Sequence, residues 1–249
     1  MRASRKFVFT LFLVMVAVVC FARPAAAAVF TDPLSSGLDS NYWVAESNQP
    51  LYTIGTGDAA VRLSKPQGGN YGFQYLMIDF TQELHGNFDV SIQFKNALID
   101  RVDGRPGNQV QLGAWFGGSY MYVVRSDEWL WSGANIGDNY HAYEGQTEHA
   151  GTLRGITSTT DNFGTMRITR VGSVVTGYYD GIQLYSASYN AESATVAFML
   201  QNNGTTDATS VDFYNFSVTA DQIVPEPATL SLLLLGGLTM LRRRRDRRR

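Results

Sequence analysis

Short runs of alternating apolar and polar residues dominate the middle of the chain. In Phe88-Asp89-Val90-Ser91-Ile92-Gln93-Phe94 a period of two places Phe88, Val90, Ile92 and Phe94 on one face of a strand. Residues 41–45, 60–63 and 73–80 read likewise, being short and rich in aromatic and β-branched side chains. The pattern continues through 109–116, 120–125, 128–132, 139–143, 165–170, 174–179, 183–187, 195–201 and 210–218. Turn signals fall at Gly55-Thr56-Gly57-Asp58, Gly68-Gly69-Asn70 and His85-Gly86-Asn87, and 100–108 reads as a longer loop. Residues 144–161 have no clear period and are expected to cross between sheets. No sustained 3.6 period interrupts this region, and no repeat has propeller or solenoid spacing. A dozen or more short strands exceed what one flat sheet carries, so the pattern predicts an all-β, two-sheet sandwich.

The two ends are built differently. Arg2, Arg5 and Lys6 precede an apolar run from Phe7 to Ala22, then Arg23-Pro24 and four alanines. This is the layout of a secretory signal peptide, 1–28, cut after Ala28 and engaging the secretion translocon. The single cysteine, Cys20, lies inside it. At the other end Val224-Pro225-Glu226-Pro227 precedes an apolar stretch, 228–241, and then Arg242, Arg243, Arg244 and Arg245, Asp246 and three more arginines. The prolines keep the segment before the apolar helix extended. The apolar stretch is 14 residues long, whereas a helix crossing a membrane needs about 20. The arginines would snorkel to the headgroups and stop transfer with the C-terminus inside.

Pro-Glu-Pro, a short apolar helix with a Gly-Gly pair and a terminal arginine cluster together resemble the PEP-CTERM sorting signal of Gram-negative bacteria, here 222–249. The resemblance implies recognition by an exosortase at Val224, Pro225, Glu226 and Pro227, removal of the tail near Glu226, and a producer of exopolysaccharide. The protein would be exported through the inner membrane, anchored transiently by its C-terminal transmembrane helix, then left at the cell surface or outside the cell. The alternatives are an ordinary tail anchor or a basic tail that binds nucleic acid, and the export signal argues against the latter.

Removing both ends leaves a domain, 29–221, of different character. Between Ala25 and Val224 there are nine Lys and Arg against twenty Asp and Glu, a net −11. That disfavours nucleic acid and anionic lipid as partners. The domain has no cysteine, so its stability must come from a hydrophobic core, for which about 190 residues suffice.

Phe88-Asp89-Val90, the stretch from Met166 to Gly181, Phe198-Met199-Leu200-Gln201 and Val211-Asp212-Phe213-Tyr214-Asn215-Phe216 are similar to strand signatures of concanavalin A-like lectin/glucanase (laminin G-like) jelly rolls. Physically, 169–180 is a hairpin turning at Gly172-Ser173, with Ile168, Val174 and Thr176 expected in one core layer. Residues 212–218 are expected to close the fold beside a first strand around Val29-Phe30.

Catalytic motifs are absent. The retaining glucanases of this superfamily carry Glu-x-Asp-x-x-Glu on one strand, and this chain does not. Nor does it contain Gly-x-Ser-x-Gly or His-Glu-x-x-His. Asp127-Glu128 is expected in a turn. Asp138, His141, Glu144, Glu148 and His149 match no ligand spacing, and a solvated loop explains them. Asp32 and Asp212 could hold a structural calcium pinning the first and last strands, or serve as caps and turn acceptors. No other cofactor is expected.

Aromatic residues carry the stronger signal. Trp115, Tyr120, Tyr122, Trp129, Trp131, Tyr140 and Tyr143 fall close together, with Tyr120/Tyr122 and Trp129/Trp131 each on one strand face. A turn at Ser126-Asp127 would pair these two strands and line up four rings as a sugar-stacking platform. The alternative is that the rings fill the core. The sequence thus predicts a non-catalytic, exported glycan-binding module. Its rivals are a degenerate glycoside hydrolase with carboxylates on separate strands, and a purely structural matrix protein.

Overall fold

The computed structural model describes residues 27–68, 73–99, 107–129, 135–146, 149–203 and 207–225, with side chains except at 128–129, 135–138, 143, 146, 149–151 and 203. All regular structure in these residues is strand, in fifteen elements. One sheet, here sheet A, has β15 (Thr209–Pro225) and β6 (Gln82–Leu98) at its centre. Beyond β6 lie β11 (Gly164–Val171), β12 (Val174–Tyr179) and β13 (Ile182–Ser188). The other edge of β15 pairs with β1 (Ala28–Asp32) along one half and β4 (Ala60–Lys65) along the other, and β4 carries β3 (Thr53–Gly57).

Sheet B runs β2 (Trp43–Ser47), β5 (Phe73–Phe80), β14 (Ser193–Asn203), β7 (Asn108–Phe116), β8 (Ser119–Trp129), β9 (Asn135–Gln146) and β10 (His149–Ser158). Every pairing is antiparallel. The sheets join where Ser193 and Ala194 of β14 pair with His85 and Leu84 of β6.

Alternation decides which side of each strand is buried. Phe88, Val90, Ile92 and Phe94 all face the interior, as their spacing predicts. They meet Val110, Leu112, Ala114 and Phe116 of β7 and Val196, Phe198 and Leu200 of β14 in one apolar layer. At one end of this layer Trp43 packs against Phe80, Phe198 and Phe216, with ring centroids 4.8–5.4 Å apart. Its Nε1 donates to Asp32 Oδ2 at 2.8 Å, so a sheet-B side chain is hydrogen-bonded to a sheet-A strand. β1 and β15 close the fold as expected, with Val29 opposite Thr219 and Phe30 opposite Val218.

Several expectations are corrected. The β11–β12 turn does lie at Gly172-Ser173, which sets Val171 opposite Val174 and Ile168 opposite Gly177. The face carrying Ile168 therefore continues through Val175 and Tyr179, while Val174 is exposed. Thr176 lies on the outer side, hydrogen-bonded to Ser186. Gly55 and Gly57 belong to β3, and the turn is at Asp58-Ala59, both with positive φ (49° and 56°), as a tight hairpin turn requires. His85-Gly86-Asn87 is a bulge inside β6: Gly86 has φ +72°, Asp221 fills the space a Cβ would need, and Asn87 N–H donates to Asp221. Residues 149–158 do not cross between sheets but form β10, paired with β9. The ladders also extend beyond 29–221, since Ala28 pairs with Ala220 and Pro225 with Gln82. Glu226, Pro227 and the arginine cluster lie outside the described residues, as does the signal segment through residue 26; among the described residues no helix is long and apolar enough to cross a membrane.

Trp43 is the test of this core. Trp43→Ala should lower the free energy of unfolding by about 3–5 kcal/mol in urea titrations. Trp43→Phe, which keeps ring packing but removes the donor to Asp32, should cost about 1–2 kcal/mol.

Candidate functional site

The outer face of sheet B, turned away from the core, concentrates the unusual side chains. On β7 the residues alternating with the core set are Gln109, Gln111, Gly113 and Trp115. Cross-strand register places Tyr120 opposite Trp115 and Tyr122 opposite Gly113. On β14, Thr195 lies opposite Trp115 and Ala197 opposite Gly113.

Two small residues side by side leave room for rings. A Cβ on Gly113 would lie 2.6 Å from the Tyr122 ring and 2.8 Å from that of Trp115, so both rings rest over the glycine. Trp115 meets Tyr122 edge-to-face at 5.3 Å, and Tyr122 meets Tyr120 at 4.8 Å with planes tilted by 33°. All three are half-buried. Tyr189 donates to the backbone carbonyl of Tyr120 at 3.1 Å and fixes the strand beneath.

Beside this shelf lies a buried polar row. Gln111 Nε2 donates to Gln201 Oε1 at 2.9 Å and to Gln109 Oε1, while Gln111 Oε1 finds no partner among the described residues. His141 Nδ1 lies 2.7 Å from Asn139 Oδ1, which as an acceptor assigns the ring proton to Nδ1. Burial holds His141 neutral, with its pKa lowered to about 3.

The ring arrangement differs from that expected. β8 runs unbroken through Ser126, paired with both β7 and β9, and Asp127, paired with β9, so no turn forms there and Asp127 and Glu128 are strand residues. Trp115 from the preceding strand takes the place beside Tyr122 expected of the tryptophans further along. Trp129 ends β8 with its side chain outside the described set, and Trp131 lies outside the described residues. Trp115 belonged to the aromatic cluster legible in the sequence, whereas the amides were missed. Their signal was the alternation Gln109-Val110-Gln111-Leu112-Gly113-Ala114-Trp115 itself.

The acidic candidates are dispersed. Asp32 accepts from Trp43 and from Leu34 N–H. Asp212 is fully buried and accepts from Arg62 at 2.6 and 2.8 Å and from Asn96 at 2.8 Å. Burial alone would raise the Asp212 carboxyl; the Arg62 and Asn96 hydrogen bonds outweigh it and hold the pKa below the ordinary value. Asp32 faces Phe216 across its ladder, four residues along β15 from Asp212, so the two do not share one set of ligands. Glu144 points to the opposite side of β9 from His141 and pairs with Arg154 at 3.5 Å. Asp138 and His149 side chains and Glu148 lie outside the described set, and among the described residues no three His, Cys, Asp or Glu converge as a metal site would require.

No protein-family profile matches the chain, and no curated protein matches it in sequence. Solved structures do match in fold. A LamA variant from Z. galactanivorans in complex with laminaritriose and laminaritetraose superposes with a TM-score of 0.57 at 10% identity, covering 79% of this chain and 100% of that one. A protein of unknown function with a galectin-like fold from Bacillus subtilis gives 0.53 at 11%, covering 82% and 99%. The carbohydrate recognition domain of Emp46p, in its potassium-bound form, gives 0.54 at 9%, covering 81% and 99%. The described domain therefore has the antiparallel β-sandwich fold of these structures, one of which is described as galectin-like.

His141 gives a pH signature. The unfolded chain takes up its proton near pH 6.5 and the folded chain only near 3, so stability falls as pH drops through that window. Between pH 7 and pH 5 this residue should cost about 2 kcal/mol. His141→Gln should remove that part of the slope in urea titrations at the two pH values.

Proposed function

We propose that this chain is an exported, non-catalytic module that binds polysaccharide on the outer face of sheet B. The observation that carries the reading is the half-buried shelf of Trp115, Tyr120 and Tyr122 seated over Gly113 and Ala197. Sugar rings offer apolar C–H faces to such a surface, and their hydroxyls suit the phenol groups of Tyr120 and Tyr122. The fold's neighbours include LamA holding laminaritriose and laminaritetraose, which agrees with a sugar ligand.

The same face argues for binding rather than cleavage. Glycoside hydrolysis needs two carboxyl groups flanking the bond, about 5–9 Å apart. On β7 and β14, at the centre of the sheet, the described outward positions carry Gln109, Gln111, Gly113, Trp115, Thr195, Ala197, Met199 and Gln201, and the carboxylates Asp79 and Glu46 of the same face stand on β5 and β2, away from the rings of β8. An amide neither donates a proton at neutral pH nor acts as a nucleophile in this way.

Delivery is assigned to the two ends. The N-terminal signal takes the chain through the translocon, and an exosortase reads Pro225-Glu226-Pro227 and removes the tail, leaving the domain at the cell surface or in the matrix. Intact-mass analysis of protein from the native host should then show a chain ending near Glu226. A mature form that retains Arg249 would refute the processing step.

For binding, Tyr122→Ala or Trp115→Ala should weaken polysaccharide retention in affinity electrophoresis about tenfold, corresponding to about 1–3 kcal/mol for an aromatic contact. Gly113→Ala should weaken it too, by displacing both rings without removing either. Retention unchanged in all three, with lowered unfolding midpoints, would assign these rings to structure alone.

A further inference from the structure

The reading above leaves the ligand's chemical class open, and the distribution of charge closes it. Seven of the domain's nine cationic side chains are described, while Arg101 and Arg105 lie outside the described residues. Each of the seven is engaged away from the outer face of sheet B. In sheet A, Arg62 is held by Asp212 and Arg167 by Asp89. Lys65 and Lys95 donate to the backbone carbonyls of Asp207 and Asp58, and Arg170 to those of Gly172 and Ala191.

Sheet B itself contributes two described cations, and both lie on its inner side. Arg125 sits over the ring of core residue Tyr140 and donates to Asp161 O at 2.9 Å and Ser126 O at 2.7 Å. Arg154 lies over Tyr185 of β13 and pairs with Glu144.

The charges that do lie on the outer face are acidic. Asp79 shares a cross-strand row with Ala197 and Gly113, about 10 Å from the glycine at two strand spacings. Glu46, exposed on β2, accepts from Tyr75 OH at 2.7 Å on the next strand. The other described side chains of the face are aromatic, amide, hydroxyl or apolar, and its one described histidine is buried and neutral.

We propose that the Trp115–Tyr120–Tyr122 shelf, flanked by Glu46 and Asp79 with no described cation on its face, selects uncharged polysaccharides and rejects sulfated and uronic-acid polymers. The inference rests on the glycan-binding reading and narrows it. A polymer bearing an anion on every sugar or two would shed water beside carboxylates and approach a domain of net −11, with no described guanidinium or ammonium on this face to take the charge. An uncharged chain meets neither obstacle. Its binding by ring stacking and phenol hydrogen bonds should also be nearly independent of ionic strength, because no ion pair is available for salt to screen.

The test runs the full chain in detergent by affinity electrophoresis through gels containing laminarin, galactomannan or dextran, and through gels containing alginate, κ-carrageenan or heparin. Each is run at about 20 mM and about 500 mM salt, on either side of the screening regime. At least one neutral polymer should retard the chain at both salts, with every anionic polymer at least tenfold weaker. Thr195→Lys, which sets a cation beside Trp115, should raise retention by the anionic polymers at low salt only and leave the neutral ligand within about twofold. Anionic retention of the unmodified chain that collapses at high salt would overturn the selectivity and leave the glycan reading standing. Absence of retention by all six polymers would overturn the glycan reading, and the selectivity with it.

Discussion

Trp43 reaches from one sheet to the other. Its ring fills the interior against Phe80, Phe198 and Phe216 while its indole N–H is held by Asp32 at the end of β1. In a domain without a disulfide, contacts of this kind fix how the sheets lie on each other. That stacking decides which side of every strand is hidden. Once Val110, Leu112 and Ala114 are committed to the interior, Gln109, Gln111, Gly113 and Trp115 must face outward. The candidate site is therefore a by-product of core packing on the opposite side of the same strands.

Most of the fold was legible because alternation is a local property. Phe88 to Phe94 declared their buried face, and residues 73–80 coincide with β5. The errors share a physical origin in turn chemistry. A two-residue turn at Gly172-Ser173 pairs Val171 with Val174 and moves the core face to Val175. Ser126-Asp127 carries turn-forming residue types, yet the β9 ladder along both residues and the β7 ladder at Ser126 hold it extended. Gly86 has a positive φ that suggests a turn but forms a bulge, because Asp221 from the far end of the chain receives the neighbouring N–H. Tertiary partners settled each case, and they are distant in sequence.

The site was half legible for the same reason. Aromatic density marked Tyr120 and Tyr122, and period two put them on one face. Their partner Trp115 could be chosen only with the register of β7 against β8 in hand. The small pair Gly113 and Ala197, which makes space for the rings, comes from positions more than eighty residues apart in the chain. The amides of Gln111 and Gln201 likewise meet only after the chain has passed through six intervening strands.

β15 pairs with β6 along nearly its whole length, from Ser210 opposite Leu98 to Pro225 opposite Gln82. Beyond Pro225 the chain continues toward its C-terminus, so any tension on that segment enters the domain along the axis of β15. Pulled lengthwise, two antiparallel strands slide past one another, and their hydrogen bonds share the load at once instead of opening one after another like a zip. The strand that completes the fold is thus also the one whose ladder would resist a pull on its C-terminal end in shear.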